Sequence, residues 1–225
     1  MPRKRKKPAA SSSPWFWLIA GINGAGKSTL VAKLRKQQII NATYYNPDEI
    51  TKWVVRNKEL GCFVHGIPNG ETKELDLANK HAADIAMDVV RITLETTDGS
   101  LAIETVLSTD KYRQTVELAK QNQRKFGFVY IGLSSPEQAI ERVAARVSRG
   151  GHGVPNDKIR KRWKGSLEQL PWFVAQSDLA FIYSNATNTP VQLAKGKRGK
   201  LKWMDKKALP HVTAALSRKS RIAVH

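Results

Sequence analysis

Gly21-Ile22-Asn23-Gly24-Ala25-Gly26-Lys27-Ser28 matches the pattern GxxxxGKS at every specified position, and its flanks decide how it is read. Trp15 to Ala20 precedes it, an apolar run bounded by Pro14 and Gly21 that suits a buried strand and is too short for a buried helix. From Lys27 to Gln38, Leu30, Val31 and Leu34 fall at helical spacing. A strand therefore hands over to a helix through a glycine-rich turn, the context that makes the motif a phosphate-binding loop. Glycines let successive backbone N–H groups converge on phosphate oxygens, and the helix turns its positive end toward the same anion. In such a loop Gly21 to Ser28, with Thr29, contact ATP; Lys27 neutralises the β and γ phosphates and the Ser28 hydroxyl holds Mg²⁺.

The chain has 225 residues, enough for one α/β domain with a full core. Its formal charge of +19 is uneven: residues 1–7 carry +5 and residues 191–225 carry +9, which leaves the body only +5. We expect a disordered basic arm over 1–14, a domain over 15–216 and a basic tail over 217–225. Cationic ends allow nonspecific contact with nucleic acid, and equally serve solubility. Cys62 is the sole cysteine, which excludes an intrachain disulfide and fits a reducing compartment. No stretch approaches the roughly 20 apolar residues of a membrane span. These features lead us to expect a cytoplasmic protein.

Ala42 to Tyr45 reads as a second strand, with Asn46-Pro47-Asp48 opening a helix after it. Asp48 thus falls at a strand's carboxyl end, where α/β sheets bind ligands. Its carboxylate could accept the proton of an attacking hydroxyl or simply support the helix N-terminus. Gly61 to Gly70 reads as a loop near the site, and Lys73 to Thr97 as a long scaffold helix with Val89 and Leu94 on its apolar stripe. Leu101 to Val106 is a β-rich strand whose one carboxylate, Glu104, is costly there unless it faces a ligand, a cation or solvent. Thr105 beside it is either a ligand contact or a structural hydroxyl.

Residues 109–124 suggest a helix and Phe126 to Leu133 a strand. Ser135-Pro136-Glu137 begins the next helix, on which Arg142, Arg146 and Arg149 recur at spacings of four and three. Three guanidinium groups on one face call for an anion, such as ATP phosphates or a substrate diphosphate, or for neighbouring carboxylates, unless the face is simply solvated beside Glu141. A flexible connector, Gly150 to Pro155 with His152, follows in the manner of a closing lid. Asn156 is expected to cap another helix, with strands over Asp178–Tyr183 and Val191–Ala194, the latter paired with Lys200–Met204, and a short helix over Leu209–Leu216.

Taken in order, Gly21–Ser28, Asn46-Pro47-Asp48-Glu49-Ile50, Ile103-Glu104-Thr105 and Ile140-Glu141-Arg142-Val143 leading to Gly150–Pro155 resemble the zeta toxin family of P-loop kinases. The resemblance spans roughly residues 15–185. It implies a three-layer α/β P-loop kinase fold, with a mostly parallel sheet and helices on both faces, and transfer of phosphate from ATP with Mg²⁺ to a hydroxyl of a nucleotide sugar. UDP-N-acetylglucosamine is the acceptor of well-studied members, and a small protein antitoxin is their partner. By the same resemblance Asp48 falls on the catalytic base, Lys27 on the phosphate lysine, Glu104 and Thr105 on acceptor contacts, and Arg142 on a lid arginine. A second lid arginine of the family is replaced here by His152, with Arg146 or Arg149 as substitutes. The alternatives are a kinase of a nucleoside or polynucleotide end, and a nucleic-acid-binding P-loop ATPase.

Overall fold

The computed structural model describes residues 13–46, 87–151 and 153–218. Asp48, the loop Gly61–Gly70, His152 and the first part of the helix expected over Lys73–Thr97 lie outside them. Strand β1 (Trp15–Ala20) leads through the glycine-rich turn into α1 (Lys27–Lys36) and β2 (Thr43–Tyr45). Then come a helix α2 (residues 87–96), β3 (Leu101–Thr105), α3 (Tyr112–Gln121), β4 (Lys125–Gly132) and α4 (Pro136–Val147). The chain continues with α5 (Asn156–Gln176), β5 (Leu179–Ser184), β6 (Val191–Lys197), β7 (Lys200–Trp203) and α6 (Pro210–Ser217).

Among the described residues, seven strands form one sheet in the order β2-β3-β1-β4-β5-β6-β7. The first five are parallel, and β6 and β7 add an antiparallel hairpin at one edge. β1 is apolar throughout because it pairs on both sides and is covered on both faces. Phe16, Leu18 and Ala20 point into one core, with Val90 and Leu94 of α2, Val116 of α3, Phe173 of α5 and Val212 of α6. Trp17 and Ile19 point into the other, with Leu30 and Leu34 of α1 and Val143 of α4. The fold is therefore the three-layer α/β arrangement, mostly parallel, that the sequence predicts.

Local differences have physical causes. In α2 the buried pair is Val90 and Leu94, one helical turn apart, whereas Val89 is only partly covered. α5 begins at Asn156 with Pro155 as its N-cap, so Asn156 is inside the helix and is not its cap. The helix runs on through Pro171, where a backbone donor is missing, because burial of Leu170, Phe173 and Val174 holds that turn against the sheet. Among the described residues no helix is long and apolar enough to cross a membrane.

Candidate active site

The phosphate loop sits at the carboxyl end of the central strand. Gly24 and Gly26 adopt φ of 76° and 87°, in the left-handed region where a side chain would be strained. Gly26 is also the N-cap of α1, with no side chain capping the first turn, so the opening N–H groups of the helix remain available to an anion. A Cβ at Gly26 would lie 2.6 Å from Asn185 Nδ2. Lys27 Nζ donates to the carbonyls of Gly21, at 2.9 Å, and Ile22, at 3.4 Å. The ammonium is thus folded over the loop it would serve. Ser28 and Thr29 are exposed in the first turn of α1. This cradle of open donors, one ammonium and an accessible hydroxyl fits a magnesium-bound triphosphate.

Glu104 lies near the end of β3, in register with Ile19, two residues before the loop begins. It is only 5% exposed, and Tyr44 of β2 donates its hydroxyl to Oε1. Thr105 is buried as well; its Oγ1 accepts from Leu107 N at 2.9 Å, and its carbonyl accepts from Gly21 N at 3.2 Å. That first bond supports Leu107 at a φ of 59°, a conformation costly for a leucine, in the loop that leaves β3. Tyr112 also hydrogen-bonds Thr105, and burial pushes its phenol up to about 12. The Thr105 hydroxyl is therefore engaged in shaping the loop.

A cavity of about 370 Å³ joins these parts. It is lined by Asn23 and Lys27 of the phosphate loop, Glu104 and Thr105 of β3, and Ser108, Lys111 and Tyr112 beyond that strand. Arg162 of α5 closes it, donating to Asn23 Oδ1 at 2.8 Å. Asn46 lines it too, at the point where the described chain stops two residues short of Asp48.

Of the three arginines predicted to share a helix face, Arg142 alone stands beside the loop. Its Cβ would be 3.2 Å from a Cβ on Gly24, and its Nη2 donates to the Asn185 carbonyl at 2.7 Å and to Asn188 Oδ1 at 2.9 Å. Burial lowers its pKa from the usual arginine value. It is not among the residues that line the cavity. Arg146 packs its stem beneath Gly151, and Arg149 lies past the C-cap Ser148, exposed and off the helix face. Spacing of four and three continues a face only while the helix lasts, and α4 stops at Val147.

Sequence reasoning missed Arg162, Tyr44, Lys111 and Asn185 as site residues. Asn185 follows the carboxyl end of β5, so its place was readable from the rule that ligands gather there. Arg162 sits among other basic residues on α5 and carries no local signal.

Compared by sequence, the chain matches no protein-family profile and no curated protein. Compared by structure, it is similar to a chain of the AvrRxo1-ORF1:-ORF2 complex with ATP, at a TM-score of 0.66 and 16% identity over 95% of this chain and 67% of that one. It is also similar to a chain of the PezAT chromosomal toxin–antitoxin system of Streptococcus pneumoniae, at a TM-score of 0.57 and 18% identity over 80% and 71%. The other AvrRxo1 structures are spanned over 66% and 64% of their length. The resemblance read from the sequence is borne out at the level of fold: this chain shares its architecture with chains of the AvrRxo1-ORF1:-ORF2 and PezAT structures.

Proposed function

We propose that the chain is a phosphotransferase that moves the γ-phosphoryl group of ATP to a hydroxyl of a small anionic acceptor, of which a nucleotide sugar such as UDP-N-acetylglucosamine is the first to test. The observation that carries this reading is the cavity in which Lys27, Glu104 and Arg162 meet. The fold shared with a complex solved with ATP supports the donor.

ATP with Mg²⁺ supplies the phosphoryl group and part of the countercharge. Lys27 exchanges its carbonyl partners for the β and γ phosphates, and Ser28 offers its hydroxyl to the metal. Arg162 faces the transferring group from α5, and Arg142 steadies the loop from α4. Glu104, fixed by Tyr44, orients the acceptor hydroxyl, while Lys111 offers an ammonium to the acceptor's phosphates. Asp48 removes the hydroxyl proton. We assign the catalytic unit to residues 15–216 and a small protein antitoxin as partner, the latter supported by the likeness to a toxin–antitoxin system.

The test is transfer of label from γ-labelled ATP to nucleotide sugars, nucleosides and oligonucleotide ends by wild type, Asp48→Asn and Arg162→Ala. We expect a labelled nucleotide sugar from wild type, none from Asp48→Asn, and at least about a hundredfold less from Arg162→Ala with ATP still bound. Label on an oligonucleotide would move the acceptor to nucleic acid ends. ATP hydrolysis with no acceptor labelled would sink the transferase reading.

A further inference from the structure

The β6–β7 hairpin carries Lys195 and Lys197 on one strand and Lys200 and Lys202 on the other. Their register pairs them directly, Lys195 with Lys202 and Lys197 with Lys200. Like charges placed opposite each other across an antiparallel pair are destabilising. All four lysines are exposed, and among the described residues none is in an ion pair. Residues 191–207 hold seven basic residues and one acidic, Asp205.

Edge protection accounts for part of this pattern, since lysine on an outer strand prevents edge-to-edge association. It covers Lys200 and Lys202 on the edge strand β7, but not Lys195 and Lys197 on the inner strand. Lys195 also reaches over the Phe181 ring at 5.4 Å, which puts the quartet on that ring's face of the sheet. The opposite face of β7 carries Leu201 and Trp203, packed against the core. A shallow depression of about 570 Å³ is lined by the four lysine side chains, with Gln192 and with Met204, which is 59% exposed.

We propose that this face docks the phosphate backbone of a nucleic acid, independently of the catalytic cavity. β7 lies four strands from β1, about 19 Å away at the usual strand spacing. Four compact ammonium charges suit phosphates, which lysine binds as a point charge. Protein interfaces are depleted in lysine, which disfavours an acidic protein segment. The hairpin also lacks the outward aromatic residues of a membrane-surface element, its Trp203 facing the core.

The test is anisotropy of a labelled random-sequence DNA duplex, titrated with the full chain over a range of salt concentrations. Replacing Lys195, Lys197, Lys200 and Lys202 by Gln should make the slope of log K against log salt shallower by about 3 to 4 and weaken binding at least tenfold. Phosphoryl transfer by the same variant should match wild type. A control with Lys33, Lys36, Lys120 and Lys164 changed to Gln should keep most of the slope.

Three results would overturn the proposal: an unchanged slope, which would assign binding to the termini; an equal loss in the control, which would make it diffuse; and no binding of the duplex by wild type. Preference for polyglutamate or for anionic phospholipid vesicles over the duplex would overturn the nucleic-acid assignment. Intact far-ultraviolet circular dichroism and an unchanged or raised Tm would show that the variant folds, since the substitutions relieve repulsion. Because binding is read without ATP, failure here leaves the transferase reading standing, and the reverse holds too.

Discussion

Asn185 Nδ2 donates to the Ala25 carbonyl at 2.9 Å, so the loop after β5 grips the phosphate loop across 160 residues of sequence. The same residue accepts Arg142 Nη2 on its own carbonyl, and its N–H donates to Gly132 O at 2.8 Å. It is 6% exposed. One side chain and its backbone thus set the positions of the phosphate loop, the α4 arginine and the end of β4. Asn185→Ala leaves the Ala25 carbonyl unpaired in a buried setting, a loss of about 1–3 kcal/mol. We expect ATP affinity to fall about tenfold or more in a titration by calorimetry. Unaltered affinity would show that the loop holds its shape without this bond.

Tyr44 and Glu104 form the second linkage, between neighbouring strands. Tyr44→Phe removes the hydroxyl and leaves a buried carboxylate one donor short. The expected result is a raised KM for the acceptor with the KM for ATP near wild type. Equal effects on both would place Glu104 outside acceptor binding.

Gly165 in α5 stands where a Cβ would lie 2.4 Å from the Ser108 carbonyl oxygen. That oxygen is backbone, so neither atom can rotate away, and Ser108 lines the cavity. Gly165→Ala gains about 1 kcal/mol of helix propensity, and overpacking costs about 1–3 kcal/mol. We expect a lower Tm together with weaker acceptor binding; a higher Tm would contradict the close approach of α5 to this loop.

His211, its ring tilted against Trp163 at 4.7 Å between centroids, hydrogen-bonds the Leu133 backbone while its Nε2 is buried with no hydrogen-bond partner. Burial lowers its pKa from the ordinary 6.5. The unfolded chain therefore binds the proton more readily, so the stability from the neutral ring is complete above 6.5 and is lost as pH falls through the folded value. Thermal melts at about pH 7.5 and about pH 5 should show a smaller acid-side drop in Tm for His211→Gln than for wild type. An equal drop would mean that His211 does not titrate in this range.

Much of this was legible in the chain. The motif at Gly21–Ser28, the apolar run before it and the spacing of Leu30 and Leu34 are local, and local steric and hydrogen-bonding rules suffice to make strand, loop and helix from them. Glu104 drew notice for a different reason: a carboxylate in an apolar strand is costly, and in the structure it lines the cavity and accepts from Tyr44. The arginine face failed because spacing cannot say where a helix ends. Arg149 lies beyond Ser148, so the face it was to share is not there.

The sequence by itself determined the phosphate loop, the alternation of strands and helices, and the concentration of charge toward the ends. Tertiary structure alone decided that Arg162 meets Asn23, that Asn185 holds Ala25, that Tyr44 holds Glu104, and that four lysines stand in two opposed pairs. The first three join residues whose separation along the chain carries no signal, and the lysine pairs depend on the exact register of a hairpin that the sequence only outlines. Strand order, register and the packing of α5 against the sheet bring them together, and those follow from how the two cores are buried as a whole.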